Sequence, residues 1–167
     1  TKISVIPIAV DCTQLQPVKP SNRSNNILTV STLFYPPNAD GVRWFLRQVF
    51  PIVQRQFSAV SLSVVGPRPP KDILEFGRQN SGTIQVTGYI PDLEEYFERS
   101  ALMVVPVRAG SGMRVRILEA LARGIPIVTT TTGVEGIEAV NDEHLLIADE
   151  PAEFAGAVVR LLKDRTF

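Results

Sequence analysis

Two residue types that carry much of enzyme and metal chemistry are almost missing from this chain. It holds one cysteine, Cys12, and one histidine, His144. A single cysteine excludes an internal disulfide, and one Cys with one His leaves no cluster to bind a metal, so no metal is expected. Neither sign of charge is in excess: 17 Lys and Arg balance 17 Asp and Glu. That argues against a broad nucleic-acid face, and no nucleic-acid partner is expected. No apolar run approaches the roughly 20 residues needed to cross a bilayer, and no signal peptide is visible. These absences point to a cytoplasmic setting, membrane-peripheral at most in the full-length protein. The chain opens on Thr1 and reads as a fragment of something longer. Cys12 is expected to be a small buried apolar residue, and His144 to face solvent.

What is present describes a globular domain. With 167 residues, 44% hydrophobic and 20% charged, the chain reads as one domain, 1–167, able to bury a core without staples. Residues 2–10 suggest a strand interrupted by Pro7, and 13–26 a polar loop. ILTVSTL (27–33), AVSLSVVG (59–66), TIQVTG (83–88), LMVVPV (102–107), IPIVTTT (125–131) and HLLIAD (144–149) read as strands. Between them lie helical patterns at 41–57, 69–80, 91–101, 112–123 and 151–164. The first is expected to be capped by Asn38 or Asp40 and kinked or ended by Pro51. The last places Phe154, Val158, Leu161 and Leu162 on one side. Apolar strands alternating with helices predict an α/β fold, a Rossmann-like parallel sheet covered on both faces. Ligands of such sheets bind beyond the carboxyl ends of the strands.

The stretch PVRAGSGMRVRILEALARGIPIVTTT (106–131) occupies such a position. Glycines before a helix let an anion approach backbone N–H groups. Ser111 adds a hydroxyl that could cap the helix, and Arg114 and Arg116 suit phosphate oxygens. At about 100° per residue, Gly112, Arg116, Glu119 and Arg123 share one stripe of the helix. Two readings stay open for it. Glu119 could accept hydrogen bonds from ribose hydroxyls while the helix start holds a diphosphate. Alternatively, Arg116, Glu119 and Arg123 form only a surface ladder of ion pairs at i,i+3 and i,i+4. No Walker lysine motif, complete dinucleotide fingerprint, receiver-type acidic strand end or serine elbow is found.

The segment GSGMRVRILEALARGIPIVTTTTGVEGI resembles the donor-binding signature of the group 1 retaining glycosyltransferases of the GT-B fold. VIPIAVD, ILTVSTLFYPPNADGVRWFLRQVFPIV, LSVVGPRP, IQVTGYIPDLEEYFERSALMVVPV and LLIADEPAEFAGAVVRLLKD follow that family's order. The resemblance covers essentially the whole chain and corresponds to the C-terminal, nucleotide-sugar-binding half; the N-terminal acceptor domain is absent from this chain. It implies transfer of a sugar from a nucleotide-diphosphate sugar to an acceptor with retention, no cofactor beyond that donor, and an isolated domain without transfer activity.

By resemblance, Gly110, Ser111, Gly112, Met113, Arg114, Arg116 and Glu119 would hold the donor nucleotide and diphosphate. Gly88, Tyr89 and Ile90 would hold the base, although Tyr89 reads equally as a packing residue. No catalytic residue is assigned. There are two departures from the family pattern. Its pair of glutamates, about two helical turns apart, falls on Ser111 and Glu119, so the sugar-contacting carboxylate is missing. Its basic pair near the first strand falls in STLFYPPNAD, which has no Lys or Arg; Arg114 and Arg116 are expected to take over that work. A degenerate, non-catalytic binding or regulatory module is the alternative these departures leave.

Overall fold

A computed structural model describes residues 8–18 and 25–164. Six strands form one parallel sheet: β1 (Asn26–Val30), β2 (Ser61–Val65), β3 (Ile84–Val86), β4 (Ser100–Val105), β5 (Ile127–Thr129) and β6 (Leu146–Ile147). Their spatial order is β3-β2-β1-β4-β5-β6. The chain runs outward from β1 through β2 to β3, then returns to the far side of β1. Strand order therefore reverses between β1 and β4, which opens a crevice at their carboxyl ends. Among the described residues six α-helices complete the fold: α1 (Pro36–Trp44), α2 (Phe50–Gln56), α3 (Lys71–Gln79), α4 (Glu94–Glu98), α5 (Val115–Ala122) and α6 (Pro151–Lys163).

The period of two along each strand divides the core. Ile27, Leu62, Val64, Leu102, Val104 and Val128 face one cluster, with α1, α2, α3 and α6. Leu28, Val65, Met103 and Ile127 face the other, with α4 and α5. The expected α/β sandwich follows from strands that are apolar on both faces. On the α6 side, the Phe154 ring meets Trp44 edge-on at 5.3 Å and Phe45 at 5.8 Å. Each fully buried phenylalanine contributes about 2–3 kcal/mol of apolar transfer. Phe154, Val158, Leu161 and Leu162 are all buried, as their spacing predicts.

Register is set at the opposite end of the sheet from the crevice. Asn26 Oδ1 accepts hydrogen bonds from the Ser61 and Ser63 hydroxyls, and its Nδ2 donates to Ser100 Oγ at 3.1 Å. One carboxamide thus ties β2 and β4 to β1.

Several expectations change. The strand expected at 2–10 lies largely outside the described residues, and 8–10 are irregular. Asn26 belongs to β1 rather than to the preceding loop. The first helix begins at Pro36, not 41, with Tyr35 in the cap position and no side-chain cap. Asn38 instead donates to Thr32 O at 3.1 Å. Pro51 neither ends nor breaks the helix. A π-helical segment, Phe45–Val49, joins α1 to α2, and Phe50 N–H reaches back to Phe45 O. Proline lacks an N–H and crowds the preceding turn, and a wider turn placed just before it relieves both problems. Cys12 is exposed rather than buried, because its segment turns outward around Asp11, whose carboxylate accepts from Thr13 and Gln14. His144 is exposed, and its Nδ1 accepts the Val140 N–H at 3.0 Å.

Candidate functional site

The helix expected from 112 starts at Val115, with Arg114 in the cap position and no side-chain cap. Gly110, Ser111 and Gly112 therefore form a separate turn before α5, and Ser111 does not cap it. Gly110 has φ +106° and Gly112 φ +95°, conformations that L side chains rarely adopt. The Arg114 guanidinium folds back on this turn, donating to Gly112 O and, at 3.5 Å, to Gly110 O. Met113 packs outward against Gly136 in the loop after β5.

A cleft of about 320 Å³ opens at the strand-order reversal. Val30, Ser31 and Thr32 line it from the end of β1, Val65 to Pro67 from the end of β2, and Val105 and Val107 from the end of β4. Arg114, Val115 and Arg116 form the wall where α5 begins. A second cleft, about 280 Å³, runs along α5 past Glu119 and Arg123 to Asp92, Glu94 and Phe97. Tyr89, Ile90, Leu93 and Arg116 line both, so the two make one trough along the polar stripe of α5.

The ladder on that stripe forms only in part. Arg116 Nη1 donates to Glu119 Oε2. Arg123 does not join it; its Nη1 bonds Glu94 Oε1 at 2.7 Å, with the guanidinium over the Phe97 ring at 4.8 Å. Burial separates the two arginines: the Arg123 side chain is 11% exposed and that of Arg116 45%. Glu119 stays 23% exposed to the trough, and its Oε1 has no partner among the described residues. The chemistry on offer is a carboxylate acceptor beside guanidinium donors and the amides that open a helix.

Of the residues singled out in the sequence, Arg114, Arg116, Glu119, Tyr89 and Ile90 meet in the trough. Gly110, Ser111, Gly112, Met113 and Gly88 line neither cleft; the glycine turn reaches the site only through Arg114. Tyr89 is 71% exposed, so it is not a packing residue. The STLFYPPNAD loop brings no cation to the trough, in keeping with its sequence. Sequence reasoning missed Ser31, Asn38, Leu93 and Leu15. Leu15 walls the second cleft, and its segment is tied down where Val18 N donates to Arg123 O at 2.9 Å. Two threonines were missed as well. Thr129 Oγ1 donates to Val105 O at 3.0 Å, and Thr130 Oγ1 donates to Val107 O while accepting Gly133 N–H. They hold the end of β4 beside the loop after β5. The switch-point rule for parallel sheets would have pointed to Ser31, because it directly follows a central strand.

Among the described residues no group of three or more His, Cys, Asp or Glu is placed to hold a metal ion. No helix among them is long and apolar enough to cross a membrane.

The family described as glycosyl transferases group 1 matches residues 24–164. The chain belongs to that family. A curated relative of this glycosyltransferase domain is an uncharacterized 44.6 kDa protein in the cps region of Klebsiella pneumoniae, 24% identical over 145 residues. That match takes in 83% of this chain and 37% of the relative. A variant of S. aureus TarM, solved with fondaparinux, α-GlcNAc-glycerol and UDP, superposes with TM-score 0.74 at 16% identity. It covers 94% of this chain, which matches 32% of it. Sucrose-phosphate synthase from Thermosynechococcus elongatus superposes with TM-score 0.73 at 20% identity, over 96% of this chain and 43% of the enzyme. The domain thus has the Rossmann-like fold of GT-B glycosyltransferases and spans well under half the length of these relatives.

Proposed function

We propose that this glycosyltransferase domain is the C-terminal, donor-binding half of a retaining enzyme, and that its trough holds a nucleotide-diphosphate sugar. The observation that carries the reading is the stripe Arg116–Glu119 facing the trough, with Arg114 at its head. Glu119 Oε1 accepts from the ribose hydroxyls. The diphosphate lies against the amides that open α5, and Arg116 turns from Glu119 towards it. Tyr89 and the Ile90 backbone flank the base. Here the protein positions the donor and stabilises the charge that develops on the departing diphosphate, the two contributions this kind of site supplies. UDP in the TarM structure supports a nucleotide in such a trough. The acceptor and any further catalytic group come from an N-terminal domain outside this chain, so the isolated domain binds nucleotide weakly and transfers no sugar. The scarcity of cysteine supports a cytoplasmic setting for this half.

Titration calorimetry with UDP, GDP and ADP tests the reading. Binding weakened about tenfold in Glu119→Ala and in Arg116→Ala is the expected result. Heat that neither substitution changes, or sugar transfer by the isolated chain, would overturn it.

One observation favours a second reading. Ser111 stands where the family has a carboxylate, and Arg114 is spent on its own turn. A degenerate module serving assembly or regulation would show the fold with no nucleotide affinity.

A further inference from the structure

Ser31 directly follows β1 at the point where strand order reverses, and it lines the 320 Å³ cleft. Its main chain is held against β2. The Ser31 N–H donates to Val65 O at 3.0 Å, and Gly66 lies so close that an added Cβ would sit 1.8 Å from Ser31 O. The side chain is what remains, and its Oγ is buried with no hydrogen-bond partner among the described residues. Buried hydroxyls are normally paired, and leaving one unpaired costs stability. Two other arginines come near this rim without lining the cleft: Arg68 stacks on Phe34 at 3.6 Å, and Arg108 sits 3.8 Å from Asp40. The loop from Ser31 to Asp40 has no Lys or Arg of its own. Asn38, also on the cleft wall, has its Nδ2 turned to Thr32 O. Arg114 and Arg116 stand on the cleft wall formed by the start of α5.

We infer that the Ser31 hydroxyl is a ligand group of the cleft, donating to a phosphoryl oxygen of a nucleoside diphosphate in place of the cation this loop lacks. The inference rests on the donor-site reading above. An anion seated against Arg114 and Arg116 needs a donor on its other side. A neutral hydroxyl supplies one without the desolvation cost of burying a charge. It would also give a partner to a buried polar atom that has none among the described residues.

The test uses the tightest binder among UDP, GDP and ADP, together with its nucleoside, on wild type, Ser31→Ala and Glu119→Ala. Ser31→Ala should weaken diphosphate binding about tenfold, the loss of one hydrogen bond to a charged group. Nucleoside affinity should not change, and the melting temperature should hold or rise, because an unpaired buried hydroxyl has been removed. Glu119→Ala should weaken both ligands. Loss in Glu119→Ala with none in Ser31→Ala overturns the Ser31 inference and leaves the donor site standing. Equal loss of nucleoside and diphosphate in Ser31→Ala, with a lower melting temperature, assigns the serine to structure and also overturns it. No binding of any of the three nucleotides overturns both readings.

Discussion

Arg116 and Glu119 stand one turn apart on α5 and bind each other beside the trough, while the next arginine on the stripe, Arg123, is drawn away to Glu94. The pair holds Glu119 in place, with one oxygen left over. It also gives Arg116 a partner it can exchange for a phosphate. Glu119→Ala and Arg116→Ala should each lower nucleotide affinity about tenfold, as expected for hydrogen bonds to charged groups. The double variant should lose less than the product, because the two side chains act on one ligand and on each other. A double-mutant cycle by calorimetry measures this, and strict additivity would refute the coupling.

Tyr89 projects 71% exposed into a trough that it lines on both sides of Arg116. It contributes almost nothing to the core. Tyr89→Ala should leave the thermal midpoint unchanged and weaken nucleotide binding about fivefold or more, the scale of one aromatic stacked on a base. An altered midpoint with unaltered affinity would make Tyr89 a folding residue instead.

Two glycines, Gly41 within α1 and Gly66 after β2, let backbone pass close to backbone beside the crevice. A Cβ at Gly66 would meet Ser31 O at 1.8 Å, and one at Gly41 would meet Pro106 O at 2.1 Å. Backbone cannot yield as a side chain can. Gly66→Ala and Gly41→Ala should each cost about 3 kcal/mol or more by overpacking. Gly82→Ala, with open space around it, serves as the control and should cost under about 1 kcal/mol. Denaturant melts of the three variants decide the matter.

Away from the trough, Arg43 grips Asp72 through Nε at 2.5 Å and Nη2 at 2.9 Å, joining α1 to α3. That hydrogen-bonded guanidinium holds the Asp72 carboxyl below its ordinary 3.8. A depressed acid stabilises the fold above its unfolded pKa, and the contribution is lost as pH falls through the folded value. Asp72→Asn should therefore lower the melting temperature at neutral pH, and the gap to wild type should narrow from about pH 3.8 downwards. The pair is partly exposed, so the neutral-pH effect should stay under about 1 kcal/mol. A gap that widens in acid would reverse the sign of this argument.

The strands and helices were largely legible in the chain because they rest on local periodicity. β-branched runs at 27–30, 61–65 and 102–105 mark strands buried on both faces, and the 3.6-residue spacing in 151–163 marks α6. The ends were less legible. The helix was read from Gly112, yet it starts at Val115, and the positive φ of Gly112 keeps that residue in the turn before it. Pro51 was read as a kink or an end of the helix, because the π-helical accommodation five residues wide leaves no mark in composition. Of the site, Arg116 and Glu119 were visible because a pair one turn apart is a property of the helix itself.

The order of residues by itself determined an α/β sheet, a glycine turn with two arginines after its fourth strand, and one carboxylate on the polar edge of α5. Only the fold decided that Arg123 would leave Glu119 for Glu94, twenty-nine positions away. It alone placed Leu15 on the trough wall, turned Cys12 outward and left the Ser31 hydroxyl buried without a partner among the described residues. The physical reason is distance along the chain. Periodicity acts between neighbours a few residues apart, whereas these partnerships depend on how loops separated by whole elements come to lie beside each other once the sheet has formed.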